Sequence, residues 1–253
     1  MGFDPLYVPL GIDTKVFRPK PEGRKDLRDS FGWTDENFVI GSVGLNYHDD
    51  RKGFIPLMMA FREFHALHPE ARLYIHTLAN ERELVNDAVN YQHMARQVGI
   101  DEWLAWPNQS DYALGRIDED QMADIYNGFD VFCLPTKGEG FGIPLIEAQA
   151  CGVPVITTKT TTGPELVGPG WLIYADKLDD ARILMNEAWR LEPRASEILE
   201  QLEIAHYRWR KQMLENTKRQ CVSNAARYDW DRIWSEYWLP VWERLEARLH
   251  GSR

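Results

Sequence analysis

The run KGEGFGIPLIEAQACGVPVI, residues 137–156, sets Glu139 and Glu147 eight positions apart around a glycine-rich turn and follows them with an almost uncharged stretch. Carboxylates at the edge of an apolar run need partners, because burying an unpaired charge is expensive. One chemistry for two such acids is the acid/base pair of a glycosidase, which stands roughly 5–9.5 Å apart across one bond. Eight residues of helix would span about 12 Å. Glu139 precedes the helix, so the sequence leaves the separation open. The spacing suits two contacts along one long ligand better than a shared dyad.

The neighbouring residues point to an anion. Gly138, Gly140 and Gly142 alternate with larger residues, which lets a ligand approach the backbone and permits positive φ. A helix beginning near Phe141 to Pro144 offers free N–H groups and the positive end of its dipole, a site suited to phosphate. Pro144 fits a first helical turn, where its missing donor is not needed. Arg51 and Lys52, in the loop GSVGLNYHDDRKGF, are the local cations. Glu147 shares a helix face with Ile143 and Cys151 by i±4 spacing. The hydroxyls of a bound sugar would satisfy it; pairing with Lys159 or Arg116 is the structural alternative. His48 and His76 are candidate acid/base groups, although a histidine near a strand end is more often structural.

These residues must be held by a scaffold, and the chain alternates strand and helix patterns from residue 38 onward. FVIGSVG, ARLYIHT, DVFCLPT, VPVITT and GWLIYA read as buried strands; FIPLMMAFREFHALHP, RELVNDAVNYQHMARQVGI, EDQMADIYNGF and GIPLIEAQACG read as helices. The expected fold class is α/β, a Rossmann-like parallel sheet with helices on both faces and a helical C-terminal extension. In such a sheet ligands sit beyond the carboxyl ends of the strands, where the Lys52 loop and the glycine loop both fall. The expected organisation is an extended segment over 1–25, a Rossmann-like domain over 26–178, and helices over 179–253 that pack on it. The last helical run places Trp230, Trp234, Trp238 and Trp242 four apart, a stripe that reads as packing, and Pro240 should kink or divide it.

The chain has 253 residues, 44% of them apolar, enough for a sizeable core. A net charge of −10 argues against nucleic acid as a partner. The three cysteines form no CxxC pair and read as buried thiols of a cytoplasmic protein rather than a disulfide framework or zinc site. No signal peptide pattern and no membrane-length apolar run is present, which leaves peripheral membrane contact open. The loop GLNYHDDRKG is not G-x-G-x-x-G, which argues against a dinucleotide enzyme.

In combination, EGFGIPLIE resembles the acidic signature of retaining glycosyltransferases with the GT-B fold, glycosyltransferase family 4 in particular. VPLGIDTKVFRP resembles that family's interdomain segment, RKGF its donor-phosphate lysine loop, and GRIDEDQMADIYNGFDVFCLPT the helix–strand unit before the signature. The match continues through EAQACGVPVITT and covers residues 7–175; the tail ending in YDWDRIWSEYW is similar to the family's C-terminal helices.

The resemblance implies transfer of a hexose from a nucleoside diphosphate sugar, such as a UDP- or GDP-hexose, to an acceptor hydroxyl with retention. Glu147 would bind ribose hydroxyls and Glu139 the transferred sugar. Backbone N–H groups around Phe141, Gly142 and Ile143 would hold diphosphate and sugar, beside Gly138 and Gly140. Lys52 would neutralise the leaving diphosphate, and Arg116 and Ile117 would lie near the base. Members carry an arginine about six residues before the lysine; here Asn46 holds that position, and Arg51 is the available substitute. No metal and no cofactor beyond the donor is implied. Implied partners are the donor, a glycan, lipid or other hydroxyl acceptor, and a separate N-terminal domain or a second copy. The chain then corresponds to the donor-binding half of the fold. The alternative is a nucleotide-sugar-binding module inactive alone.

Overall fold

The computed structural model describes residues 6–46, 48–80, 89–175, 181–183 and 189–250. The strands are β1 (Phe38–Val43), β2 (Ala71–His76), β3 (Leu104–Ala105), β4 (Val131–Leu134), β5 (Val155–Thr158), β6 (Trp171–Ile173), β7 (Ala181–Ile183) and β8 (Trp189–Leu191). The first six form one sheet in the order β3-β2-β1-β4-β5-β6, with every pairing parallel. The order reverses between β1 and β4, so the loops after these two strands open the crevice of a doubly wound sheet.

The helices up to the last strand pair are α1 (Pro21–Ser30), α2 (Phe54–Leu67), α3 (Tyr91–Val98), α4 (Gln109–Ala113), α5 (Glu119–Asn127), α6 (Ile143–Ala150) and α7 (Gly163–Leu166). Beyond it run α8 (Ala195–Arg210), α9 (Leu214–Ala225), α10 (Trp230–Ile233) and α11 (Leu239–His250). Both sheet faces are covered. Val39, Phe132, Leu134 and Val155 meet Leu27 of α1, Tyr126 of α5, and Leu145 and Ile146 of α6 on one face. Phe38, Ile40, Val131, Cys133 and Ile156 meet α2, α3 and α8 on the other. Successive strand residues thus feed opposite cores, which explains why these strands are apolar throughout rather than alternating. Buried Arg28 and Asp130 pair at 2.7 Å, and Asp130 also accepts from the Val39 N–H, tying α1 to the sheet.

The predicted strands and helices recur at the expected places, with three corrections. A helix already starts at Pro21, inside the segment read as extended; Pro at its start and Glu22 in its first turn favour it. Residues 181–183 and 189–191 pair as antiparallel strands, where the sequence reading placed helix only. The tryptophan stripe is not packed away: Trp230, Trp234, Trp238 and Trp242 are 45%, 57%, 38% and 56% exposed. The first half of the predicted helix over 82–100 lies outside the described residues, which show it from Tyr91. Pro240 does divide the terminal run: a π turn over Trp234–Trp238 separates α10 from α11. Proline cannot donate to the carbonyl four residues back, so the turn before it widens. The N-terminal segment is stitched to this tail through Ile12, which donates to the Tyr228 carbonyl and accepts from the Trp230 N–H.

Candidate functional site

The loops after β1 and β4 meet at the switch point, and their charged side chains touch. Lys52 Nζ lies 2.7 Å from Glu139 Oε1, with both side chains nearly buried. Arg51 Nη1 stands 3.6 Å from the other Glu139 oxygen and donates to the Gly138 carbonyl at 2.9 Å. Two cations thus flank one carboxylate. Burial lowers the Lys52 pKa, opposed by the charge of Glu139.

Local geometry explains how the lysine is presented. Gly53 has φ of +72°, and a Cβ there would lie 2.0 Å from the Pro135 carbonyl oxygen. The Lys52 loop can therefore lie directly on the end of β4 only with glycine at this position. A Cβ at Gly44 would meet Lys52 Cγ at 2.9 Å, so the lysine stem lies against the end of β1. Asp49 and Asp50 both adopt left-handed backbone, strain of the kind held at built sites. Asp50 accepts from the N–H groups of Phe54 and Ile55 and from the Tyr91 hydroxyl, capping α2. Its burial pushes its pKa up to about 6. Lys137 donates to the Asp49 carbonyl and pairs with Glu192, while Arg190 pairs with Asp49, so the β8 segment braces both loops.

The glycine loop ends at α6. Gly142 caps that helix with φ of +101°, and no side chain caps its first turn. Pro144 has no N–H and Leu145 N–H turns back to the Gly142 carbonyl at 2.9 Å, which leaves the Ile143 N–H as the first-turn donor without an intrahelical acceptor. Gly138 and Gly140 are not in the left-handed region, and a Cβ at Gly140 would meet nothing within 4 Å. Internal packing therefore does not demand glycine at 140. Glu139 N–H donates to the Thr161 hydroxyl, and the Thr162 hydroxyl donates to the Phe141 carbonyl, fixing the loop against the turn after β5. Ile143 is half-buried at the start of α6.

Glu147 lies one turn further along α6. Its Oε2 accepts from the Tyr126 hydroxyl at 2.7 Å. Burial pushes its pKa up to about 7, and the Tyr126 hydrogen bond acts the other way. Neither protein cation considered from sequence takes it up: Arg116 is exposed and lies 3.5 Å from Asp111, and Lys159 sits over the Tyr174 ring. Arg116 and Ile117 instead line a hollow of about 610 Å3 with Tyr74, Trp106 and Pro107. Neither Lys52, Glu139 nor Glu147 is among its lining residues, so the structure does not bring Arg116 and Ile117 together with the two loops. Asn46 is buried, and its amide holds the Leu78 and Val89 carbonyls and the Val89 N–H. Its polar atoms therefore serve the fold. His76 is buried beside Tyr74, and its pKa is pushed down to about 4. The His48 side chain lies outside the described residues.

Sequence reasoning missed Tyr126, Thr161 and Asp50. Only Asp50 left a trace, as an acid four residues before an apolar helix; the other two contacts depend on tertiary pairing. Taken together, the site offers a cation pair, an uncapped helix start and a second, partly protonated carboxylate: groups able to hold a diphosphate and polyol hydroxyls.

The chain is 31% identical over 191 residues to a GDP-mannose-dependent monoacylated alpha-(1-6)-phosphatidylinositol monomannoside mannosyltransferase of Corynebacterium glutamicum, covering 72% of this chain and 46% of that protein. It is 28% identical over 225 residues to a D-inositol 3-phosphate glycosyltransferase of Segniliparus rotundus, covering 88% and 43%. The chain thus spans less than half the length of these curated relatives. Its fold matches the C-terminal domain of a glycosyl transferase group 1 family protein, LpcC, of Francisella tularensis with a TM-score of 0.62 at 19% identity, covering 87% of this chain and all of that one. It also matches a sucrose-phosphate synthase of Thermosynechococcus elongatus with a TM-score of 0.68 at 19% identity, covering 97% of this chain and 53% of that one. The family model for glycosyl transferases group 1 matches residues 37–187, which contain both loops of the site, and the chain belongs to that family.

Proposed function

We propose that the chain is the donor-binding half of a retaining hexosyltransferase that uses a nucleoside diphosphate sugar. The observation that carries this reading is the junction of Lys52 and Glu139 at the switch point, beside the uncapped start of α6. A diphosphate would lie between that helix start and Lys52, with Arg51 as a second cation. Its arrival would draw the lysine from Glu139 and free that carboxylate for the hydroxyls of the transferred sugar. Glu147, with one oxygen held by Tyr126, would present the other to ribose hydroxyls. The base would extend toward Ile117 and the hollow beside it. As the glycosidic bond breaks, Lys52 and the helix start would stabilise the departing diphosphate, a preorganised electrostatic role that needs no metal.

A guanine nucleotide is the first donor to test, because two of the matched relatives are named as GDP-mannose-dependent. Those names also describe phosphatidylinositol mannosides, so a hydroxyl on a lipid-linked headgroup is the first acceptor class. No helix of the described residues is long and apolar enough to cross a membrane. Contact with such an acceptor would then be peripheral. The second reading is a nucleotide-sugar-binding module without turnover of its own. In that reading the acceptor side of the cleft comes from another domain.

Thermal-shift titration with GDP-, UDP- and ADP-hexoses tests both. A bound donor at 100 Kd stabilises by about 2.7 kcal/mol. Glu147→Ala and Lys52→Ala should lose the shift. A folded chain unmoved by any nucleotide sugar, or shifts retained in both variants, would refute the reading. Donor hydrolysis or transfer by the chain itself separates enzyme from module.

A further inference from the structure

A second chemical cluster lies at the opposite end of the strands, next to the start of β2. His68 and Glu70 flank Pro69 in the turn after α2, and Glu203 and His206 share one face of α8 at i,i+3 spacing. His68 Nε2 lies 3.0 Å from both carboxylate oxygens of Glu203, and His206 Nε2 lies 3.0 Å from Glu70 Oε1. The ligand atoms of His68, Glu70 and His206 all fall within 4.8 Å of one another. The two imidazole centroids lie 3.9 Å apart with their planes tilted by 42°, and both rings contact Phe64, His206 edge-on. The His206 side chain is 8% exposed, and a hollow of about 700 Å3 opens onto the group.

Mutual pairing accounts poorly for this arrangement. Two imidazoles this close repel if both are protonated, and neutral rings leave Arg72 as the cation acting on Glu70. A dication suits the group better, because it balances two carboxylates and accepts two neutral nitrogens. We propose that His68, Glu70 and His206 bind a first-row divalent transition metal ion, with Zn2+ the ion the donors suit best, and that Glu203, which reaches the group through His68, turns in as the fourth ligand. Imidazole nitrogen with carboxylate oxygen matches zinc, whereas magnesium and calcium take oxygen alone. Donors about 2.0–2.2 Å from a tetrahedral ion lie roughly 3.3–3.6 Å from one another. The 3.0 Å contacts open slightly to admit the ion, and the longer separations close. The ring proton moves to Nδ1, leaving Nε2 free for the metal. Four protein ligands fill the tetrahedron, so the ion is structural: it clamps α8 to the turn between α2 and β2, away from the candidate donor site.

The test uses tag-free, chelator-stripped protein titrated with ZnCl2 by calorimetry and with CoCl2 by visible absorption. One zinc per chain, the intense cobalt bands of tetrahedral coordination, and a zinc-dependent rise in melting temperature are expected. The double variant His68→Asn, Glu203→Gln alters the more exposed ligands. With an unchanged far-UV spectrum, it should bind zinc at least about tenfold more weakly and lose the thermal response. Absence of zinc binding by the wild-type chain overturns the proposal, as does wild-type zinc affinity in the double variant. Nucleotide-sugar binding should be the same with and without zinc, so failure here is separable from failure of the donor site.

Discussion

Glu147→Gln isolates the most informative group of the site. In the folded chain burial raises this carboxyl from its ordinary 4.5 to about 7. The folded state therefore holds a proton that the unfolded state releases between those values, and stability falls as pH rises through that window. The contribution is complete below pH 4.5 and lost above about 7. Between about pH 5 and about pH 8, linkage at 1.36 kcal/mol per pKa unit gives a loss of about 2.5 kcal/mol. This is a ceiling, because the carboxylate keeps some contact with water. Glutamine cannot titrate and can still accept from Tyr126. Asp50, raised to about 6, titrates in both proteins and cancels in the difference. Urea unfolding of wild type and variant across this range is the assay. The variant should gain on the wild type by about 2 kcal/mol from the acid to the alkaline end. A difference that stays flat with pH would refute the idea that Glu147 is buried without a compensating cation. Donor affinity should show the opposite trend: hydroxyls that bind the ionised carboxylate favour deprotonation, so wild-type affinity rises from about pH 6 to 8 while the variant's stays low.

Three further outcomes follow from particular contacts. Lys52→Met should raise the Kd for a GDP-hexose at least about tenfold and destabilise the empty chain by roughly 3 kcal/mol, read by calorimetry and denaturation, since Glu139 loses its nearest cation. Gly140→Ala should leave stability within about 0.5 kcal/mol while weakening donor binding, whereas Gly142→Ala should lose about 1–2 kcal/mol through its left-handed backbone; equal thermal effects would contradict this division. Asp50→Ala removes the cap of α2 and strands the Tyr91 hydroxyl, so a loss of about 2–3 kcal/mol in urea unfolding is expected.

Much of the scaffold was readable because each buried strand is a short apolar run bounded by glycine, proline or a charged turn. Lys52, Glu139 and the three glycines were legible as loop chemistry for the same reason: they follow such runs directly. Their direct pairing was not, because it depends on β4 lying beside β1, a neighbour relation across some ninety residues that local pattern does not encode. Tyr126 as the partner of Glu147 was hidden likewise, by packing between α5 and α6. Pro21 fell inside the segment read as extended although it opens a helix, since proline serves both uses. Asn46 shows the converse: a residue placed at the site by alignment with a pattern has its amide absorbed by the neighbouring backbone.

The π turn between Trp234 and Trp238 has a geometric consequence. Four residues of α-helix overshoot a full revolution by about 40°, so side chains repeated every fourth position spiral slowly around the axis. A π turn holds more residues per revolution and rotates the stripe back. The widening ahead of Pro240 therefore offsets part of the drift that the two flanking α-helical steps add to the stripe. Straightening that turn would swing Trp242 away from the line of Trp230 without altering a single aromatic residue.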